Sequence, residues 1–252
     1  MSWSPAQQPV QPEWPQIEPS EWITIDLETI AGSPDDAERY IVNCYRVDSF
    51  GTWSEITIGK RIKEAHAKKL EKLSLLSAAP IICVSLRTPT SLHCYHWMDK
   101  ATDAISDQQA TRAVDQTEML MDLRDYLDEW TGPDTTLVGH NIANFDLPKL
   151  RWAYARYGVR MPAILAAAHP QIYDTMQVYT KRFAVGSGSM IGLDALLEEF
   201  QVDSHKGLVS GADVQQLYDE GHHDTIIQYA LLDVLAESEL YLRMTGRSET
   251  LQ

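Results

Sequence analysis

Two acidic side chains lie two residues apart in a segment with the pattern of a buried β-strand. The segment WITIDLET, Trp22–Thr29, is rich in β-branched residues and contains Asp26 and Glu28. Side chains two residues apart on a strand point the same way, so both carboxylates should project from one face. This spacing arises easily by chance in an acidic protein. Carboxylates are seldom buried unless they are paired or bound to a cation, so the apolar neighbours favour half of a metal site.

A third candidate carboxylate is Asp146, in the segment LVGHNIANFDLPKLRWAY. It lies where a predicted loop meets a helix predicted over Leu147–Tyr157. An aspartate there ordinarily caps the free amides of the first helical turn, and local grounds favour that role. The polar residues His140, Asn141 and Asn144 follow a predicted strand, where binding groups often lie, and they suit hydrogen bonding within the loop equally well.

A tyrosine and an aspartate lie four residues apart in the last predicted helix, from about Thr225 to Met244. Tyr229 and Asp233 are therefore neighbours on one helical face. Taken alone, a hydrogen-bonded pair at the edge of the core is the favoured interpretation.

The combination of these segments is more specific than any one of them. Asp-x-Glu, Asn-x-x-x-Phe-Asp and Tyr-x-x-x-Asp, in this order, resemble the DEDDy 3′→5′ exonucleases of the ribonuclease H-like superfamily. The resemblance spans Ile23 to Leu242 and is strongest to stand-alone relatives of the proofreading domain of family B DNA polymerases. The stretch from His205 to Gly221 resembles a connector found in those relatives. The histidine branch of the superfamily has His five residues before the last aspartate, where this chain has Gln228, so Tyr229 favours the tyrosine branch.

The resemblance implies a hydrolase with two Mg²⁺ ions, for which Mn²⁺ can substitute. Asp26, Glu28 and Asp233 would hold the first ion, with Asp26 bridging to the second, and Asp146 would bind the second through water. Carboxylate ligands suit magnesium or manganese and poorly suit zinc. A tyrosine pKa of about 10 makes Tyr229 a poor base at neutral pH, so it is expected to orient the attacking water.

The resemblance also implies the substrate, which is the 3′ end of single-stranded nucleic acid, with DNA favoured over RNA and nucleoside monophosphates as products. Asn141 and Phe145 match positions that touch the 3′ end in the relatives. Phe145 could stack on a base, an interaction worth about 1 to 3 kcal/mol, or pack at the helix start. Two alternatives remain open: an RNA 3′-trimming enzyme, and a catalytically silent module that binds nucleic-acid ends with a replication or repair partner.

The charge of the chain argues against broad attraction to nucleic acid, because the formal net charge is −15. If four of the carboxylates bind cations, the rest of the chain still has a net charge of −15 + 4 = −11. We therefore expect a short, end-directed grip. The dense basic run is GKRIKEAHAKKLEK, Gly59–Lys72, for which a solvated helix face is the favoured interpretation. A polymerase is excluded, because no residues remain to build one.

Length and composition predict one domain over residues 21–252, since 252 residues with 44% hydrophobic content suffice for one core. Residues 1–20 are Pro-rich and are predicted to form a flexible arm, for which a protein-interaction role stays open. No apolar run approaches the roughly 20 residues of a membrane helix, so a soluble, cytoplasmic protein without membrane contact is expected. The three cysteines, Cys44, Cys83 and Cys94, predict neither disulfides nor a thiolate metal site.

The remaining patterns predict a mixed α/β fold, a ribonuclease H-like sheet covered by helices on both faces. The interval between Ile30 and Pro80 fits no pattern. Asp174 is interpreted as a helix cap, and Ser187–Ser189 as part of a mobile loop. The other predicted elements are a hairpin of Ile81–Leu86 and Leu92–Trp97 beside the first strand, a helix over Gln116–Trp130, a strand over Thr135–Val138, a left-handed cap at Gly158 and a helix over Leu193–Phe200.

Overall fold

The computed structural model describes residues 20–31, 79–99, 109–183, 191–203 and 209–247. The strands in these ranges are β1 (Trp22–Thr29), β2 (Ile81–Arg87), β3 (Leu92–His96), β4 (Ala110–Arg112), β5 (Thr136–Gly139) and β6 (Gln171–Asp174). The helices are α1 (Gln116–Trp130), α2 (Asp146–Tyr157), α3 (Ala163–Ala166), α4 (Thr175–Arg182), α5 (Leu193–Glu199), α6 (Val214–Glu220) and α7 (His223–Thr245).

The strands form one mixed sheet in the order β4-β3-β2-β1-β5-β6. Strands β1, β2 and β3 are successively antiparallel, which confirms the predicted hairpin beside the first strand. Strands β5 and β6 continue the sheet from β1 in parallel, and β4 pairs in parallel with β3. Strand β1 therefore lies in the interior of the sheet, as its apolar composition predicted.

Apolar side chains pack on both faces of this sheet. On one face, Ile23, Ile25 and Leu27 of β1 pack with α1 and α2 in the largest buried cluster. On the other face, Ile82 and Cys94 pack with α6 and α7. The alternation of β1 sends Asp26 and Glu28 to the face opposite Ile25 and Leu27. This arrangement is the predicted α/β sheet with helices on both faces.

Local sequence signals account for the helix ends. The carboxylate of Asp115 accepts hydrogen bonds from the amides of Thr117 and Glu118, so α1 begins where its periodicity predicted. Helix α2 ends at Gly158, whose φ of 66° is the left-handed conformation that the sequence indicated. Helix α7 extends slightly beyond its predicted range at both ends.

Several short elements were not predicted, namely β4, β6, α3, α4 and α6, because three to eight residues carry little periodic signal. Cys83 and Cys94 are buried free thiols. No helix in the described ranges has the length and apolar character needed to cross a membrane. The predictions for residues 1–19, Gly59–Lys72, Cys44 and Ser187–Ser189 lie outside the described residues, so the division into an arm and one domain stays a prediction.

Candidate active site

Strand β1 presents the first two carboxylates from the interior of the sheet. Asp26 lies opposite Ser85 of β2, and Glu28 opposite Cys83. The pairing of β1 with β2 becomes irregular between Glu28 and Thr29, and such irregularities often aim a side chain at a functional site. Asp26 is partly buried, while Glu28 is only 9% exposed.

Helix α7 brings the third carboxylate to the same place. Oxygens of Asp26, Glu28 and Asp233 all lie within 4.8 Å of one another. The hydroxyl of Tyr229, one helical turn before Asp233, donates a hydrogen bond to the Asp233 carboxylate. Burial and the nearby charge of Glu28 raise the pKa of Tyr229 well above its usual range, so its hydroxyl stays protonated. The predicted pair on the last helix thus joins the two strand carboxylates.

Asp146 does not cap α2, so the capping role favoured on local grounds is wrong. Phe145 occupies the cap position, and no side chain makes a capping hydrogen bond there. Asp146 is instead 3% exposed and accepts a hydrogen bond from the amide of Leu27 on β1. Burial and the negative charge of Asp26 raise its pKa well above the ordinary value. Asp146 therefore lies close enough to Asp26 to feel its charge, although it is not one of the three carboxylates within 4.8 Å of one another.

The loop that carries Asp146 is fixed by Asp174. The carboxylate of Asp174 caps α4 by accepting from the amide of Gln177, as predicted. It also accepts from the amides of Asn141 and Ala143, at 3.2 Å each. Asn141 adopts a φ of 61°, a left-handed conformation that asparagine tolerates better than most residues. Asp174 thus holds together the start of α4 and the loop before Asp146.

The other polar residues of this loop form hydrogen bonds within the fold. The His140 ring has Nε2 3.0 Å from the Ile191 carbonyl, to which it donates, and Nδ1 3.0 Å from the Thr175 hydroxyl. Asn144 is exposed, and its side-chain amide nitrogen Nδ2 donates a hydrogen bond to Asn141 Oδ1 at 3.0 Å. For His140 and Asn144, these contacts agree with the structural role that the sequence left open.

Phe145 is partly buried and packs against the cluster of Ile25 and Leu27. The ammonium of Lys149 lies 5.3 Å from the centre of its ring. Lys149 is only 3% exposed, and burial lowers its pKa to about 8. Sequence reasoning missed Lys149, although its position three residues after Asp146 on α2 places it on the side of the helix that carries the site.

A fifth acidic residue, Glu237, was also missed. It is 3% exposed, and its carboxylate accepts a hydrogen bond from the backbone amide of His140. Burial and the charges of Asp26, Asp146 and Asp233 raise its pKa well above the ordinary value. Its signal in the sequence is weak but present, because Glu237 follows Asp233 by one helical turn and comes directly after the apolar residues Val234, Leu235 and Ala236.

The donor set at this place fits a hard divalent cation. The groups that meet here are carboxylates, which Mg²⁺ and Mn²⁺ prefer. Among the described residues, Asp146 Oδ1 and Glu237 Oε2 are fully buried and have no hydrogen-bond partner. Buried carboxylate oxygens in that state are costly unless protons or cations neutralise them. The arrangement of Asp26, Glu28 and Asp233 is therefore capable of holding a divalent ion between β1 and α7.

Comparison with known proteins agrees with this geometry. Residues 85–252, two thirds of the chain, match a family described as a predicted 3'-5' exonuclease related to the exonuclease domain of PolB. The match begins within β2, so Asp26 and Glu28 lie outside it, and the fold alone connects them to Asp146 and Asp233. No individually curated protein sequence matches the chain significantly. The chain belongs to the family of predicted 3'-5' exonucleases related to the exonuclease domain of PolB.

Proposed function

We propose that the protein is a metal-dependent 3′→5′ exonuclease that hydrolyses phosphodiester bonds at the 3′ end of single-stranded DNA and releases nucleoside monophosphates. The observation that carries the proposal is the convergence of Asp26, Glu28 and Asp233, whose oxygens lie within 4.8 Å of one another. Membership of the exonuclease family supports the reaction type. The second ion, the strand preference and the products go beyond that membership and belong to the proposal.

In this proposal Asp26, Glu28 and Asp233 would hold one divalent ion, and Asp26 together with Asp146, the latter through water, would hold a second. When bound, two such ions supply a hydroxide nucleophile at neutral pH and stabilise the charge on the leaving 3′ oxygen. The burial of Asp146 and Asp233, 3% and 6% exposed, keeps both carboxylates in fixed orientations and limits competing water.

Tyr229 orients the attacking water in this scheme. Its hydroxyl donates a hydrogen bond to Asp233, and a phenolic oxygen can also accept a hydrogen bond, here from the attacking water. Because its pKa is raised, Tyr229 does not act as a base at neutral pH. The backbone at Gly211 lies close by, since a Cβ there would be 3.7 Å from the Tyr229 hydroxyl.

Asn141 and Phe145 are proposed to contact the terminal nucleotide. Both lie in the loop before α2, and Asp174 fixes the conformation of that loop through the amide of Asn141. Phe145 keeps partial exposure while it packs on the core, which leaves ring surface for a base. A grip restricted to the 3′ end suits a chain whose net charge of −15 repels extended nucleic acid.

The test is digestion of 5′-labelled and 3′-labelled single-stranded DNA and RNA oligomers, with Mg²⁺, with Mn²⁺ or with chelator. We expect a ladder shortening from the 3′ end of DNA, and none in chelator. Asp233→Asn should lower the rate by more than about 100-fold, since even partners of metal ligands cost 10- to 100-fold. Tyr229→Phe should lower it by about 10- to 100-fold, as expected for a misplaced water.

Asp125→Asn on the exposed side of α1 is the matched control and should retain the wild-type rate. If RNA is shortened faster than DNA, the assignment of DNA as the substrate is wrong and RNA takes its place. A complete absence of cleavage on every substrate would favour a module that only binds nucleic-acid ends. Full activity of both Asp233→Asn and Tyr229→Phe would refute the assigned site.

A further inference from the structure

The proposed ligands are unequally distributed between the two ions. Asp26, Glu28 and Asp233 form the close group of three carboxylates, whereas the second ion would have only Asp26 and Asp146. A divalent ion such as Mg²⁺ binds six oxygens, some of them from water and phosphate. A further protein carboxylate on the Asp146 side would balance the two sites.

Glu237 is the candidate for that further carboxylate. Burial and the nearby charges of Asp26, Asp146 and Asp233 raise the pKa of the Glu237 carboxyl above its ordinary value. Its carboxylate also accepts from the backbone amide of His140, at the start of the loop that leads to Asp146. Glu237 therefore connects α7 to the loop that positions the second-ion ligand.

The second carboxylate oxygen of Glu237 lies in an environment that favours a positively charged neighbour. Glu237 is 3% exposed, and within the described part of the chain its Oε2 is fully buried without a hydrogen-bond partner. A buried carboxylate oxygen that also feels the charges of other acids is unfavourable unless a cation or a shared proton lies beside it. A helix facing an apolar core would ordinarily have an apolar residue at this position.

We propose that Glu237 is a fifth acidic residue of the metal site and helps to hold the divalent ion on the Asp146 side. The inference rests on the proposed function of this cluster as a metal site. It assigns Glu237 a role in metal affinity that a merely structural core residue would not have.

The experiment measures Mn²⁺ binding to the full chain by calorimetry and by the electron paramagnetic resonance signal of free Mn²⁺. The variants are Glu237→Gln, which keeps the shape and removes the charge, and Glu239→Gln as the matched control. Glu239 lies two residues further along α7 and lines a surface cavity with Arg243, away from the cluster. We expect Glu237→Gln to weaken one of two Mn²⁺ sites by roughly 10-fold or more, and Glu239→Gln to bind like wild type.

Thermal unfolding in chelator separates a metal role from a folding role. Glu237→Gln should unfold at or above the wild-type temperature in chelator, because a buried charge has been removed. Loss of the fold in chelator, or wild-type Mn²⁺ affinity at both sites, would overturn the inference and leave Glu237 as a structural acid that shares a proton. These readouts do not depend on nuclease activity. An inactive wild type whose Mn²⁺ affinity still depends on Glu237 would refute the exonuclease proposal and retain this one.

Discussion

The acidic cluster should destabilise the metal-free protein, and neutralising one member should relieve that cost. Asp233→Asn removes one negative charge and keeps an oxygen that can accept from Tyr229. Two ionised groups 4.8 Å apart repel by about 3.5 kcal/mol at an effective dielectric constant of 20. Asp233 faces two such groups, Asp26 and Glu28. Proton uptake and the partial exposure of Asp26 absorb much of this repulsion, so we expect Asp233→Asn to gain about 1 to 3 kcal/mol.

The assay is thermal or urea unfolding in chelator and in saturating Mg²⁺. A gain of about 2 kcal/mol corresponds to about 4 to 8 °C in a chain of this size. Wild type should gain about 2.7 kcal/mol from Mg²⁺ at 100 times its dissociation constant, whereas the variant should gain little. Asp125→Asn is the control and should behave like wild type in both conditions. A variant less stable than wild type in chelator, with an undiminished response to Mg²⁺, would refute the electrostatic reasoning.

The remaining predictions concern pH and packing around the site. The pKa values of Asp146 and Glu237 are raised in the folded chain, so the folded state binds more protons than the unfolded state above pH of about 4. Stability in chelator should therefore fall as pH rises through the raised values, and Mg²⁺ should abolish the fall; a pH-independent unfolding midpoint in chelator would contradict this. Gly139→Ala should lower the free energy of unfolding by about 1 to 3 kcal/mol in urea, because the added Cβ would lie 2.8 Å from Ile142 Cβ. An unchanged unfolding midpoint would show that the loop adjusts to the methyl group without cost. Asp174→Ala should cost about 2 to 4 kcal/mol, since it removes a helix cap and leaves two loop amides unpaired, and a loss below 1 kcal/mol would mean that water replaces these bonds.

The long elements were predictable because their signals are local. Helix α1 has a capping aspartate, a repeating apolar face and a Gly-Pro pair after its end, and its observed bounds equal the predicted ones. The pairing of Asp26 with Glu28 on one face follows from strand geometry alone. The resemblance of three separated segments to one nuclease family then suggested which distant carboxylates should meet.

The role of Asp146 illustrates what local signals cannot give. Sequence preference favoured a helix cap, but backbone hydrogen bonds within the loop, from Phe145 to Asn141 and from Leu147 to Ile142, organise this helix start. The Asp146 carboxylate therefore turns toward β1, a strand about 120 residues earlier in the chain. The role of Asp146 is therefore determined by its tertiary contact with β1 and not by the sequence of the first helical turn.

Glu237 and Lys149 were missed for a related reason. Each lies one helical turn from a recognised carboxylate, on a helix whose sequence pattern indicates mainly packing. A charged residue within such a pattern has an interpretable role only when the facing strand is known. Both side chains are only 3% exposed, and this burial follows from the tertiary structure, not from the helix sequence.

The most direct test of the convergent metal site is anomalous diffraction from crystals grown with Mn²⁺. Two anomalous peaks are predicted between β1, α2 and α7, one within about 2.0 to 2.3 Å of oxygens of Asp26, Glu28 and Asp233, and the other beside Asp146. An anomalous map without a peak at these carboxylates, at an Mn²⁺ concentration that supports cleavage, would contradict the site and the two-ion chemistry assigned to it.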